Sequence, residues 1–289
     1  MNKIEDVTHE LKQKGIPAET LDKWQALTGQ LASFDSVLIA YSGGVDSTFL
    51  ATVANLVLGE KSCAVYVQTE VDAGSQTEKV ERWAEQGHFQ FVKLTHNALD
   101  DPQFVSNPIN RCYFCKLTIL GLLRNYAAAH HFQHVLEGQN KDDQKDYRPG
   151  RQAVKETGTY SPLAEAGLTK AEIRNLAQAL GLGVWNQPSS PCLASRFPYG
   201  SPINQRGLGM VDKGEAYLHQ LGFAEVRVRI HQDLARIEVA PEKVPELVAL
   251  GSEVSRYFKE IGFLYVTVDL QGYRQGSLNE GLGHENTIL

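Results

Sequence analysis

Ser42-Gly43-Gly44-Val45-Asp46-Ser47 lies between two apolar segments of different character. Before it, Ser36-Val37-Leu38-Ile39-Ala40-Tyr41 is short and β-branched, the pattern of a buried strand. After it, Thr48 to Leu58 is apolar and long enough for a helix. The unit reads as strand, glycine turn, helix. Two adjacent glycines let the backbone approach an anion closely, and the N–H groups at the helix start, with the Ser42 and Ser47 hydroxyls, can cradle a phosphate. The lysine of a GxxxxGK[ST] loop is missing, so the γ-phosphate need not be the group transferred.

Outward from this loop the pattern repeats. A strand at Ser62-Cys63-Ala64-Val65-Tyr66-Val67 is followed by a polar helix near Gln76 to Gln86, and a strand at Phe89 to Leu94 follows in turn. Then come an apolar helix from Asn110 to about His131 and a strand at Val135 to Gly138. Strands alternating with helices at this spacing predict a doubly wound parallel sheet with its ligand at the strands' C-terminal ends. The polar loop Gln139 to Gly150 falls at that rim. A short strand is expected near Tyr160-Ser161-Pro162-Leu163, then a helix from Thr169 to Leu180 opened by a capping box, Thr169-Lys170-Ala171-Glu172. Residues 1–33 carry two helical patterns that cover the sheet.

From Asn186 to Gly200 the chain changes character. Pro188, Pro191 and Pro198 exclude a regular helix or central strand and favour a shaped loop, read as an active-site wall carrying Cys192 and Arg196. The rest is α+β: a helix from Ile203 to Leu221, strands at Glu225–Ile230 and Leu234–Val239, a helix from Pro241 to Ile261 and a strand from Phe263 to Leu270. Alternation sets Val226, Val228 and Ile230 on one face and Arg227 and Arg229 on the other, either a solvated face or an anion site. Residues from Gly272 on read as a glycine-rich, partly disordered tail. The division expected is residues 1–185, an α/β domain, and residues 186–289, a smaller α+β domain.

Of the 289 residues 42% are hydrophobic and 21% charged, the balance of a folded chain with a sizeable core, and the net charge of −6 argues against a surface built to grip nucleic acid. The first residues are charged, and no run of 18 apolar residues occurs, so a cytoplasmic protein without membrane partners is expected.

Four cysteines remain. Cys63, in a strand predicted to be buried, reads as a small apolar residue. Cys112 and Cys115 fall in the first turn of the helix opened by Asn110, on one face, where the helix N-terminus favours thiolate. With Cys192 they make three soft ligands and no obvious fourth, because His130, His131 and His134 lie too far along the chain. Three thiolates suit a [4Fe–4S] cluster with one iron left open better than structural zinc. Such a cluster beside a phosphate-binding loop points to sulfur transfer. Hydroxide leaves a carboxylate poorly, so a carboxylate acceptor must first be activated by a better leaving group. A metal-held sulfur is already deprotonated at neutral pH.

The hexapeptide resembles the SGGxDS signature of the PP-loop ATP pyrophosphatases, whose fold is adenine nucleotide alpha-hydrolase-like and which cleave ATP between its α- and β-phosphates. Together with Asp146-Tyr147-Arg148-Pro149-Gly150, Ser195-Arg196-Phe197-Pro198-Tyr199-Gly200, Arg227-Val228-Arg229 and Tyr265-Val266-Thr267-Val268-Asp269-Leu270, it makes residues 20–280 resemble the LarE family. Members of that family are ATP-dependent sulfur transferases of nickel-pincer nucleotide biosynthesis, the cofactor of lactate racemase. The resemblance implies adenylation and thiolation of the two carboxylates of pyridinium-3,5-biscarboxylic acid mononucleotide. It also implies magnesium and a homo-oligomer.

Carried over by position, Ser42, Gly43, Gly44 and Ser47 hold the ATP phosphates and Asp46 is the magnesium partner. Ser195, Arg227 and Arg229 match the phosphate or substrate site, with Arg196 next to them. Lys116 is a candidate for charge stabilisation, and Glu215 and Glu246 match acidic positions near a subunit interface. Where some members sacrifice a cysteine's own sulfur, this chain has Pro191, with Cys192 adjacent. The three-cysteine arrangement is similar to the cluster-containing members, with sulfide or another donor supplying the sulfur. A tRNA thiolase, an ammonia-dependent NAD synthetase and a nucleotide-binding module with a structural metal stand as alternatives. Iron content separates the NAD synthetase, and salt-sensitive tRNA binding separates the thiolase.

Overall fold

The apolar residues around the glycine loop form the strands and helices expected of them, and in a computed structural model residues 3–145, 150–188, 191–274 and 276–278 are described. In chain order the elements are α1 (Lys3–Gln13), α2 (Ala18–Ala32), β1 (Val37–Ala40), α3 (Val45–Leu58), β2 (Ser62–Gln68), α4 (Gln76–Gly87) and β3 (Phe91–Thr95). There follow α5 (Pro102–Val105), α6 (Arg111–Ala129), β4 (His134–Glu137), α7 (Gly150–Glu156), α8 (Pro162–Glu165) and α9 (Lys170–Ala179). The chain continues with α10 (Gln205–Gln220), β5 (Val226–His231), β6 (Leu234–Val239), α11 (Val244–Ala249), α12 (Gly251–Glu260) and β7 (Tyr265–Val268).

Contacts divide the chain into two units. The first comprises Met1–Thr69, Ser75–His96 and Asn110–Ser190, and the second comprises Glu70–Gly74, Asn97–Ile109 and Pro191–Leu289. Two inserts that precede Asn110 in sequence therefore belong to the second unit.

In the first unit the sheet order is β3-β2-β1-β4, all parallel, with Ile39 opposite Ala64 on one side and Leu136 on the other. Because side chains alternate across a strand, the sheet feeds two apolar layers. Val37, Ile39, Ala64, Tyr66 and Leu136 pack with Trp24, Leu27, Phe49, Leu50 and Ile173 of the helices on one face. Leu38, Cys63, Val65, Val67 and Val135 pack with Leu120, Leu123 and Ala127 of α6 on the other. Each such side chain contributes about 1.5–3 kcal/mol of burial, so the two inner strands, β1 and β2, covered on both faces, are firmly held. Cys63 behaves as the small apolar residue expected: it is buried, and burial pushes its thiol up to about 11.

Three readings of the sequence are corrected. Tyr160 makes an isolated bridge to Leu136, and Pro162 then opens the short helix α8 where a strand was expected. Proline in the first helical turn lacks only an N–H that would be unpaired there anyway. The helix expected from Pro241 to Ile261 is a 3-10 turn followed by α11 and α12, which meet at Leu250. The last strand is shorter than Phe263 to Leu270 and spans Tyr265–Val268. The stretch Asp146-Tyr147-Arg148-Pro149, Ser189, Ser190 and residues 279–289 lie outside the described residues.

In the second unit β5 and β6 pair antiparallel and β7 runs parallel to β6, with Val226, Val228 and Ile230 buried. Helix α10, capped by Asn204 accepting from the Gly207 N–H at 2.8 Å, packs against β5. Among the described residues no helix is long and apolar enough to cross a membrane.

Candidate active site

In the first unit the glycine loop leaves β1 at its C-terminal end and enters α3. Gly43 has φ +73, and a Cβ there would meet Val80 Cγ2 at 2.7 Å, so this position needs glycine on both counts. The loop is braced from within. Ser47 Oγ donates to Gly44 O at 3.1 Å and accepts from the Ser42 N–H at 3.2 Å, while Gln76 Nε2 donates to Ser42 O at 2.9 Å. The first intrahelical bond runs from Thr48 N–H to Gly44 O at 2.9 Å, so the amides of Val45, Asp46 and Ser47 precede it and form an anion-facing helix start. Gly138, just past β4, presses on this helix start: a Cβ there would lie 3.0 Å from Ser47 N.

Asp46 is the electrostatic centre of the loop. Its Oδ2 accepts from Lys170 Nζ at 2.6 Å, and its buried Oδ1 has no hydrogen-bond partner. Burial raises its carboxyl above the ordinary range, Lys170 pulls it back, and the neighbouring Asp143 adds to the rise. A buried, unpartnered carboxylate oxygen beside a second carboxylate fits an oxygen-seeking divalent cation such as magnesium.

Lys170 is held in turn by the rim loop. Asp142 Oδ2 accepts from the Lys170 N–H at 2.8 Å, Asn140 Oδ1 accepts from the Asp142 N–H at 2.9 Å, and the Asn140 N–H donates to Asp143 Oδ2 at 3.0 Å. The capping box expected at Thr169 and Glu172 forms, and fixes the start of α9 that presents Lys170. Sequence reasoning took Lys170 only as part of a cap. The signal available was its place one residue after an N-cap that follows the rim loop.

Cys112 and Cys115 stand in the first turn of α6 as expected, Cys112 exposed and Cys115 half-buried, although Asn110 at the N-cap makes no side-chain capping bond. Lys116, next in line, is committed to the buried Glu137 at the end of β4, with Nζ 2.8 Å from Oε2; Ser161 Oγ and the Gln139 N–H also donate to that carboxylate. Glu137, too, was missed by sequence reasoning, hidden as one polar residue ending a strand.

In the second unit Cys192 caps a 3-10 turn, Leu193–Arg196. Arg196 is buried and forms a bidentate pair with Glu215, at 2.8 and 2.7 Å. Arg229, also buried, forms one with Glu238, at 3.0 Å in both arms. The face of β5 expected to be solvated or anion-binding thus holds a neutralised arginine at Arg229. Glu215 is an internal carboxylate, while Glu246 is exposed and pairs with Lys243 at 2.6 Å. Arg227 differs. It is half-buried and lies 5.0 Å from the Tyr273 ring centroid. Its Nη1 bonds the Val226 carbonyl, and no carboxylate pairs with it among the described residues. Burial and the charge of Arg196 lower its affinity for its proton, and Glu215 opposes them in part.

Among the described residues no three Cys, His, Asp or Glu side chains gather into a group that could hold a metal ion. Cys112, Cys115 and Cys192 carry no disulfide and are at least partly accessible, as cluster ligands must be, but the structure does not gather them into one group. The buried Cys63 is not accessible.

A parallel sheet with a glycine loop opening onto a helix start at its C-terminal edge, and no phosphate-binding lysine within that loop, defines an α/β domain of the PP-loop class. No family model matches the chain. An uncharacterized protein of Synechocystis is 44% identical over 90% of this chain and 98% of its own. The pyridinium-3,5-bisthiocarboxylic acid mononucleotide synthase of Lactiplantibacillus plantarum is 36% identical over 90% of this chain and 95% of its own. One subunit of a glutamine-hydrolyzing GMP synthase from Thermoplasma acidophilum is 25% identical over 72% of this chain and 67% of its own. The chain belongs to the LarE family, that of the L. plantarum synthase.

Proposed function

We propose that the chain is an ATP-dependent sulfurtransferase that converts the carboxylates of pyridinium-3,5-biscarboxylic acid mononucleotide to thiocarboxylates. The observation that carries this is the match to the L. plantarum synthase along nearly the whole of both chains. In the first half-reaction a substrate carboxylate oxygen attacks the α-phosphorus of ATP, the α–β phosphoanhydride bond breaks and pyrophosphate leaves. In the second, a sulfur nucleophile attacks the acyl carbon, the bond to AMP breaks and a thiocarboxylate remains.

The residues divide this work. The amides of Val45, Asp46 and Ser47, with the Ser42 and Ser47 hydroxyls, bind the departing phosphates. Asp46 would hold magnesium, which would offset the charge of the phosphates, and Lys170, 2.6 Å from that carboxylate, adds a cation to the same site. Arg227, having no carboxylate partner, serves the substrate's phosphate. Cys112, Cys115 and Cys192 would hold a [4Fe–4S] cluster, which when bound would keep sulfide from an external donor deprotonated at neutral pH. The same reading includes a homo-oligomer in the cytoplasm.

Exchange of labelled pyrophosphate into ATP tests the first half-reaction. The account expects exchange only when the mononucleotide is present, and loss of it in Asp46→Asn. Exchange stimulated by a nicotinate dinucleotide instead would make the chain an amidating relative.

A further inference from the structure

The turn that carries Cys192 rests on two buried ion pairs. Arg196 Nη1 donates to the carbonyls of Pro191 at 2.9 Å and Cys192 at 3.2 Å, and to Ser195 Oγ at 2.8 Å, while its other two nitrogens are locked on Glu215. Ser195 Oγ donates in turn to the Cys192 carbonyl at 2.8 Å. From the other side Arg229 Nη1 donates to the Ser195 carbonyl at 2.8 Å, its remaining nitrogens being held by Glu238 and the Ser277 hydroxyl. Glu215 also accepts from the Val228 N–H at 2.9 Å, which ties the first pair to β5.

The flanks are fixed as well. The Leu193 N–H donates to Val71 O at 2.8 Å, and the fully buried Asn107 donates to the carbonyls of Pro198 at 2.7 Å and Ser201 at 3.0 Å. Hence the inserts 70–74 and 97–109 also grip this turn.

Buried ion pairs are poor stabilisers, since desolvation offsets their attraction and apolar residues of the same volume serve as well. A guanidinium fork does what an apolar residue cannot: it fixes carbonyl oxygens in direction as well as in distance. Three carbonyls on one short turn, those of Pro191, Cys192 and Ser195, are so fixed. We propose that Arg196–Glu215 and Arg229–Glu238 are positioning pairs that hold the Pro191–Arg196 turn so that Cys192 presents its thiol in one orientation. On this assignment Arg196, Arg229 and the Ser195 hydroxyl shape the cysteine turn. The proposal rests on the reading of Cys192 as a working thiol.

The test is the alkylation rate of Cys192 by iodoacetamide in the full chain, reduced and freed of metal by chelation. The rate is followed by peptide mass spectrometry and divided by that of the exposed Cys112 in the same molecules. Arg196→Lys and Glu215→Gln, checked for folding by thermal unfolding, are expected to raise this ratio about tenfold or more, the effect of releasing one charge-assisted hydrogen bond from the turn. Ser195→Ala and Glu238→Gln, milder changes that decide the matter if the first two do not fold, are expected to raise it about twofold or more on the same basis. An unchanged ratio in folded Ser195→Ala and Glu238→Gln overturns the positioning role. Undiminished turnover in Cys192→Ser overturns instead the reading of Cys192, and leaves the labelling result standing.

Discussion

Replacing Lys170 by methionine removes the cation at 2.6 Å from the Asp46 carboxylate while keeping the length of the aliphatic stem. The lysine side chain is 40% exposed and the aspartate 20%. The pair thus lies between exposed pairs, which contribute about 0–1 kcal/mol, and buried ones, whose disruption costs about 3–5 kcal/mol. A loss of about 1–2 kcal/mol follows, which in a chain of this size lowers the melting temperature by a few degrees.

The pH dependence has a definite sign. Burial already lifts the Asp46 carboxyl above its unfolded value, and Lys170 works against that lift. Between the unfolded and the raised folded value the native state holds more protons, so this group's contribution to stability falls as pH rises through that window. Without Lys170 the window extends to higher pH. The gap in melting temperature between parent and Lys170→Met is therefore largest near neutrality and closes in acid, where both carboxyls are protonated. Differential scanning calorimetry across pH measures the gap, and the acid limb of substrate-dependent pyrophosphate release is expected to move to higher pH in the variant. Lys170→Arg, which keeps the charge, restores the melting temperature. A Lys170→Met protein that melts with the parent at every pH, with the same acid limb, would refute the account of Asp46.

Gly138→Ala brings a methyl to within 3.0 Å of Ser47 N and 3.2 Å of Ser47 Cα; the start of α3 must shift, and ATP affinity measured by calorimetric titration is expected to fall about tenfold, roughly 1.4 kcal/mol. In Glu172, burial opposes ionisation but the bonds from Lys23 and Thr169 outweigh it, and the carboxyl sits at about 2. Its stabilisation is present above the ordinary carboxylate range and lost as pH falls towards 2, so Glu172→Gln should melt lower than the parent at neutral pH and show less further loss on acidification. Iron and acid-labile sulfide in anaerobically prepared protein are expected at about four each per chain and should be lost in Cys112→Ser; zinc, or iron retained in that variant, would remove the cluster.

What the sequence made legible is what local pattern carries. The glycine doublet between a β-branched run and an apolar helix located the loop, and alternating strands and helices gave the parallel sheet. The Thr169 and Glu172 pattern gave a helix start that forms as read. Long-range contacts were not legible. Nothing around Asn107 indicates that its amide bonds carbonyls more than 90 residues away, or that residues 70–74 and 97–109 join the second unit. Nor does the sequence show that Arg196 and Arg229 are paired with acids, which lie 19 and 9 residues on, across elements that only folding brings together. Tyr160 to Leu163 has an aromatic and apolar content that suits a strand, but Pro162 is better placed opening a helix. Lys170 was hidden for the same reason as the arginines: its acid, Asp46, is 124 residues away.

The most direct measurement is mass spectrometry of the mononucleotide after incubation with the enzyme, ATP, magnesium and sulfide under anaerobic conditions, with AMP counted alongside. The account predicts replacement of carboxylate oxygen by sulfur, with one AMP and one pyrophosphate for each atom of sulfur gained and repeated turnovers per chain. A substrate that returns unchanged, or that gains nitrogen instead of sulfur, would contradict it.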